Sequence, residues 1–281
     1  MDKEKNEKEV SIIIPTYNRR HSLFKCLEFL NAQTYSKEKM EVIIIDNNST
    51  DRTGEMVNNL KNQISFPIVY KYIKDENCRM NKARNMGVIE SKGEYLLFLD
   101  SDMYLKQNAL ENMISMHKER ERKGEDILLR GWWIRTNFSL FNQWCLKKIV
   151  NSYDYRKDLS KNEKLMNLYK KRENLNPEVR REIPEAFILV KRKYVLQVDG
   201  FAEQEDVYGL DYEFQIRIKN LCGLKLVFNP EAFALHGPLR RDVTNNFYKK
   251  AGQRRAYILD SIPRKGLSSH ERPAFYKNNL L

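Results

Sequence analysis

Four short apolar runs set the frame of the chain. Residues 10–15 (VSIIIP), 40–46 (MEVIIID), 68–74 (IVYKYIK) and 95–99 (YLLFL) each have the length of one strand. The run at 95–99 is bulky throughout and does not alternate, the pattern of a strand buried on both faces. Between the runs the apolar spacing changes to that of a helix. Leu23, Cys26, Leu27 and Leu30 share one face of a helix over residues 22–32, and further helices are predicted over 53–63, 80–91 and 108–118. Thr50 or Asp51 is placed to cap the second of these. Strand and helix alternate, with connections long enough for parallel crossovers. The pattern predicts an α/β fold with a doubly wound, mostly parallel sheet flanked by helices.

Three of the strands end in polar clusters: Pro15-Thr16-Tyr17-Asn18, Asp46-Asn47-Asn48 and Asp100-Ser101-Asp102. Each alone is ordinary turn chemistry. In an open α/β sheet, however, ligands sit beyond the carboxyl ends of the strands, and three such clusters at one edge point to a site. Asp100 and Asp102 leave a buried strand two residues apart and repel each other unless a cation lies beside them. Hard oxygen ligands of this kind suit Mg²⁺ or Mn²⁺, which in turn suit a diphosphate. The plainer reading of Asp100 is a cap for the helix that follows. Tyr17 is suited to cover a base, and Asp46 to accept from a base N–H or a ribose hydroxyl. Arg79, Lys82 and Arg84 can balance phosphate charge. No Gly-x-Gly-x-x-Gly and no Gly-x-x-x-x-Gly-Lys-Ser/Thr occurs, so neither a dinucleotide fold nor a P-loop is supported.

Composition narrows the class. The chain has 281 residues, 41% hydrophobic and 11% aromatic, which is globular and large enough to bury a core. No run of apolar residues is long enough to span a bilayer, and the charged residues 1–9 lack the apolar segment of a signal peptide. Cys26, Cys78, Cys145 and Cys222 have neither metal-ligand nor disulfide-framework spacing, so a reducing, cytoplasmic setting is expected. The net charge of +12 is unevenly placed. Residues 145–182 hold eleven Lys/Arg against six Asp/Glu, and residues 237–281 hold ten against three, while the rest balances. Charge confined to two segments points to an anionic acceptor carrier or membrane surface more than to nucleic acid.

Taken together, VSIIIPTYNR (10–19), DNNSTD (46–51), NKARNMG (81–87) and LDSD (99–102) resemble the N-terminal half of the family-two, GT-A-fold glycosyltransferases. Asp199-Gly-Phe-Ala-Glu203 is similar to that family's Gly-Gly-Phe-Asp-Glu turn. Residues 209–217 (GLDYEFQIR) are similar to its Gly-Glu-Asp-x-Asp-Leu-x-x-Arg helix, and the later part resembles galactosyltransferase and N-acetylgalactosaminyltransferase domains. The resemblance covers about residues 10–134 and 183–236. It implies nucleoside-diphosphate contacts from Thr16, Tyr17, Asp46 and Arg84, with Asp100 near the ribose; Pro15, Asn18, Asn48, Arg79, Lys82 and Ser101 are the further donor-site candidates from the same clusters and basic positions. It implies metal ligation by Asp102 and His236, and Asp211 as general base in an inverting reaction. The chain departs from the pattern at Ala202 and Leu210, where acidic residues are usual.

Bottom-up, Asp211 follows the break at Tyr208-Gly209 and opens a helix whose Phe214 and Ile218 can pack inward; the plainer reading is an N-terminal cap. His236, just before Gly237-Pro238, equally suits a turn. Trp132 and Trp133 lie on a strand where one can be core and the other can stack on a sugar ring, with Tyr208 a further acceptor contact. Residues 138–182 read as a helical insertion, a surface element or an acceptor-recognition subdomain. Residues 237–281 read as a basic helical extension of a domain covering 1–236. The expectation is thus a Mn²⁺- or Mg²⁺-dependent transferase using a nucleotide-sugar donor, most plainly uridine-linked, and a glycan, lipid-linked or peptide acceptor. A sugar nucleotidyltransferase is the alternative enzyme, but it would want a Gly-rich basic loop after the first strand, which is absent. A nucleic-acid or membrane module leaves the strand-end carboxylates unexplained.

Overall fold

The computed structural model describes residues 8–74, 80–135, 143–154, 187–203 and 210–237. Expectations for Arg79, Tyr208, the charged stretch within 155–186 and the tail beyond Gly237 lie outside them. The sheet begins with β1 (Val10–Thr16), β2 (Met40–Asn47), β3 (Ile68–Ile73) and β4 (Tyr95–Leu99). Between these run α1 (Arg20–Asn31), α2 (Thr53–Leu60) and α3 (Met80–Glu90). β5 (Met103–Leu105), α4 (Ala109–Arg122), β6 (Ile127–Arg135) and α5 (Gln143–Ser152) follow. The chain then forms β7 (Phe187–Lys191), α6 (Arg192–Gln197), α7 (Leu210–Cys222) and β8 (Lys225–His236).

The eight strands form one sheet in the order β3-β2-β1-β4-β7-β6-β8-β5. The parallel pairing expected from the alternation holds across β3-β2-β1-β4. Beyond β4 the sheet is mixed: β4–β7, β6–β7 and β5–β8 are antiparallel, and β6–β8 is parallel. The link from β4 to β5 shapes it. A four-residue step from Leu99 to Met103 reaches at most about 14 Å, whereas strands four places apart in a flat sheet lie about 19 Å apart. The sheet must therefore curl toward a half-barrel, which brings its far edge, β8 and β5, back to the end of β4.

Both faces are covered, so β1, β2 and β4 are buried throughout and largely apolar, with Ser11 and Glu41 paired to each other. The period-2 alternation still sorts them. Ile12, Ile14, Val42, Ile44 and Leu97 face the core shared with α1, α2 and α4. Ile13, Ile43, Ile45, Leu96 and Phe98 face α3, α6 and α7. Phe214 and Ile218 of α7 are fully buried there, as their spacing predicts.

Asp51 caps the second helix from one residue before the formal N-cap, Arg52, which has φ 63°. Its Oδ1 accepts from the Thr53 N–H (3.2 Å) and hydroxyl (2.5 Å). Asp100 is not the cap of α4, whose N-cap is Asn108, well past the turn. Among the described residues no helix is long and apolar enough to cross a membrane.

Candidate active site

The loops after β1 and β2 lie side by side because Thr16 and Asp46 are register partners. Both loops turn through a left-handed residue, Asn18 (φ 48°) and Asn48 (φ 69°), a conformation that asparagine tolerates better than most side chains. The two loops brace each other. Asn18 N–H donates to Ser49 Oγ (2.8 Å), Thr50 N–H donates to Asn18 Oδ1 (2.8 Å), and Arg20 N–H donates to Asp51 Oδ2 (2.9 Å). Asp46 is buried at 1% exposure. Its Oδ1 accepts from the Ser49 N–H (2.9 Å) and its Oδ2 from the Tyr70 hydroxyl (2.7 Å). Thr16 Oγ1, also buried, has no hydrogen-bond partner among the described residues, so a polar group beside Asp46 is open to a ligand.

α3 forms the next wall. Arg84 is buried; its guanidinium donates to Asn81 Oδ1 (2.8 Å), lies 3.4 Å from Asp100 Oδ1, and sits 5.5 Å over the Phe201 ring. Lys82, half-buried, lies on the same helix. Two asparagines of α3 hold the turn at 199–203. Asn81 donates to Ala202 O (3.0 Å), and Asn85 donates to Phe201 O (2.8 Å) and Glu203 Oε1 (2.7 Å) while accepting from Phe201 N–H (2.8 Å). Arg217 of α7 holds the same turn from the other side, through Val198 O and Gly200 O (2.7 Å), and pairs with Glu213. Ala202 contributes its carbonyl here, so the missing acidic side chain does not disturb the turn.

The third cluster is completed by topology. Met103 pairs with His236 across β5–β8, and the Gly237 N–H donates to Asp102 O (2.7 Å). A Cβ on Gly237 would stand 3.1 Å from Asp102 Cβ, so the glycine permits this close approach. His236 Nε2 lies 3.1 Å from Asp102 Oδ1 and 4.0 Å from Asp100 Oδ2. One ligand atom from each of Asp100, Asp102 and His236 falls within 4.8 Å of the others. Two carboxylates and an imidazole form an oxygen-and-nitrogen donor set that fits Mn²⁺ or Mg²⁺. Arg19 Nη1 reaches Asp102 Oδ2 at 3.6 Å. Cys26, fully buried nearby, has its thiol pushed up first by burial and then by Asp102 and Asp100.

The structure thus brings together Pro15, Thr16, Asn18, Asp46, Asn48, Arg84, Asp100, Ser101, Asp102 and His236 along the carboxyl ends of β1, β2 and β4, with Tyr17 in the first loop. Asp211 is the second residue of α7. Three residues on, Phe214 stacks on Phe201 at 3.9 Å and meets Phe98, two residues before Asp100, at 6.1 Å. The tryptophans divide. Trp132 is core, 3% exposed against Phe228, which corrects its assignment to an acceptor. Trp133 is half-buried, edge-on to His236 at 4.7 Å. Sequence reasoning missed Arg19 and Tyr70. The first closes a motif already singled out; the second carries no signal, since a tyrosine on a strand is commonplace.

Residues 11–125 match the family model described as Glycosyl transferase family 2. Glycosyltransferase AglE of Haloferax volcanii is 39% identical over 106 residues, which are 38% of this chain and 34% of AglE. The poly(ribitol-phosphate) β-N-acetylglucosaminyltransferase TarP of Staphylococcus aureus is 37% identical over 112 residues, 40% of this chain and 34% of TarP. The matched stretch thus spans about a third of the length of these curated relatives. In fold the likeness runs further. The mannosyltransferase PcManGT from Pyrobaculum calidifontis, in complex with GDP-Man and Mn²⁺, superposes with a TM-score of 0.65 over 97% of this chain and 69% of its own, at 16% identity. The fold is GT-A, and within it residues 11–125 are similar to family 2 glycosyl transferases.

Proposed function

We propose that the chain is a glycosyltransferase that moves a hexose from a nucleoside-diphosphate sugar to an acceptor hydroxyl, with inversion. The observation that carries the reading is the Asp100–Asp102–His236 group beside Arg84 at the carboxyl end of β4. Asp102 and His236, with Asp100 beside them, would hold Mn²⁺ or Mg²⁺, which when bound offsets charge on the diphosphate leaving group. PcManGT was solved with GDP-Man and Mn²⁺, and TarS of S. aureus, similar in fold with a TM-score of 0.62, with UDP-GlcNAc. Guanine and uracil both carry an imino N–H, which the Asp46 carboxylate suits as an acceptor.

In this reading Thr16, Asp46 and Asn48 meet the nucleoside, Tyr17 covers the base, and Lys82 and Arg84 face the phosphates. The acceptor oxygen attacks the anomeric carbon as its bond to the phosphate oxygen breaks. The nucleoside diphosphate departs, and Asp211 takes the acceptor proton from the opposite face. The acceptor is a glycan, a lipid-linked saccharide or a peptide side chain, with Trp133, edge-on to His236, a candidate contact for it.

A panel of UDP- and GDP-sugars, read by thermal shift and donor hydrolysis with and without Mn²⁺, tests this. The expected result is Mn²⁺-dependent stabilisation and slow hydrolysis with at least one donor; no response to any donor overturns the reading. For the base, Asp211→Asn keeps the shape but removes the proton acceptor. Turnover is expected to fall by roughly 10²–10⁴-fold with donor affinity unchanged, measured by steady-state kinetics beside donor titration. Normal turnover would leave Asp211 a helix-start residue only.

A further inference from the structure

β3 is the edge strand of the sheet, and its two tyrosines do something an edge strand does not need for folding. Tyr70 and Tyr72 lie on one face, two residues apart. The Tyr70 hydroxyl donates to Asp46 Oδ2 and the Tyr72 hydroxyl to Asn48 Oδ1, each at 2.7 Å. Each hydroxyl reaches two residues past its register partner; Tyr72 faces Asp46 and reaches Asn48. Tyr70 faces Ile44 across the ladder and reaches past it to Asp46. Room for that reach is provided from elsewhere: a Cβ on Gly54, in the first turn of α2, would stand 2.6 Å from the Tyr70 hydroxyl oxygen.

The consequence falls on Asp46. A carboxylate has about four lone-pair positions. Ser49 N–H takes one on Oδ1 and Tyr70 takes one on Oδ2, so the plane of the group is held from both oxygens. The Ser49 N–H and the Tyr70 hydroxyl leave acceptor positions on both oxygens of Asp46. A base with an imino N–H on its Watson–Crick edge is matched by such a group, and a base with a bare ring nitrogen there is opposed by it.

We infer that Tyr70, admitted by Gly54, is the positioning residue that sets nucleobase selectivity, by fixing the orientation in which the Asp46 carboxylate faces the base. The inference rests on the reading that Asp46 meets the base of the donor. Tyr70 itself touches no ligand in this account; it acts through Asp46.

Uridine and cytidine diphosphates separate the possibilities, because they share size, ribose and phosphates but differ at the N3 edge. Their affinities are measured by calorimetry with Mn²⁺ on the full chain and its variants. Wild type is expected to prefer UDP. Tyr70→Phe keeps the ring and removes the donor; UDP affinity should fall about tenfold, on the scale of one hydrogen bond to a charged group, and the UDP/CDP ratio should narrow. Gly54→Ala should do the same by driving the hydroxyl away. The double variant Gly54→Ala/Tyr70→Phe should be no worse than Tyr70→Phe alone, since the closest contact has gone. Simple loss of packing would instead make the two effects add and leave the ratio intact, which overturns the inference. So does a wild-type ratio in Tyr70→Phe when Asp46→Asn has lost it. Wild-type UDP affinity in Asp46→Asn overturns both this inference and the Asp46 reading beneath it. If wild type binds no nucleotide at all, the proposed function fails first, and Tyr70 has no base to select.

Discussion

At the scale of single residues, the site is a set of charges that partner one another. Asp102 is buried with His236 on one oxygen and Arg19 near the other, and Asp100 faces Arg84. Each carboxylate is thus poised between a protein cation and an incoming one. Asp102→Asn keeps the shape and removes the charge. The expected outcome is loss of the Mn²⁺-dependent part of UDP binding, tenfold or more, with the metal-free part unchanged, read by titration with Mn²⁺ and with chelator. Mn²⁺ dependence at wild-type strength in that variant would remove Asp102 from the metal site. The strand-end carboxylates were legible in the sequence because two acids after a buried apolar run have few structural uses. His236 was not legible on its own residues. Its neighbours Gly237 and Pro238 read as a turn, and only the β5–β8 pairing carries the imidazole to Asp102. Nor did sequence separate Trp132 from Trp133, since adjacent residues on a strand face opposite ways and either face is available to a tryptophan.

At the scale of elements, β1 to β4 and helices α1 to α4 followed from periodicity, with ends moved by a few residues. What escaped was short or held by distant partners. β5 is three residues long, too short for any period, and β7 pairs with both β4 and β6, partners far from it in sequence. α3 shows how element packing serves the site. It carries Asn81, Arg84 and Asn85, and it must lie flush on the sheet for all three to reach their partners. Gly87 permits that, since a Cβ there would overlap Ile13 Cγ2. Gly87→Ala gains helix propensity of up to about 1 kcal/mol yet forces helix and strand apart. Overpacking of this kind costs roughly 1–3 kcal/mol, so the net change is expected to be destabilising. Urea unfolding should show a lowered midpoint at unchanged slope, together with weaker UDP binding as Arg84 is displaced. A midpoint at or above wild type would mean that α3 is free to lift without cost.

For the whole molecule, the two ends of the sheet carry different electrostatics. The carboxyl ends of β1, β2 and β4 gather the site's acids. At the opposite end, acids and bases are matched in surface and half-buried pairs. Glu9 before β1 meets Lys118, Lys39 and the Tyr35 hydroxyl. Glu125 before β6 meets Lys225 and Arg120. Lys191 closes β7, and because β7 runs antiparallel it arrives beside Glu94 and Glu121 at the start of β4. Lys191 donates to Glu121 and holds that carboxyl below the ordinary value of 4.5, against the opposing effect of burial. Lys225 and Arg120 hold Glu125 down to about 2. A carboxylate depressed by folding contributes stability that is fully present above its unfolded value and is lost as pH falls through its folded one. Stability is therefore expected to be flat in this respect above about pH 5 and to decline below 4.5 as protons compete with Lys191. Glu121→Gln isolates the contribution. Its deficit relative to wild type, measured by urea unfolding from pH 7 to pH 3, should be constant near neutrality and shrink below pH 4.5, because wild type then loses the charge that the variant already lacks. Exposure of Glu121 keeps the effect modest, and added salt should reduce it further. A deficit that grows on acidification would mean that the Glu121 carboxylate is not the form that folding favours.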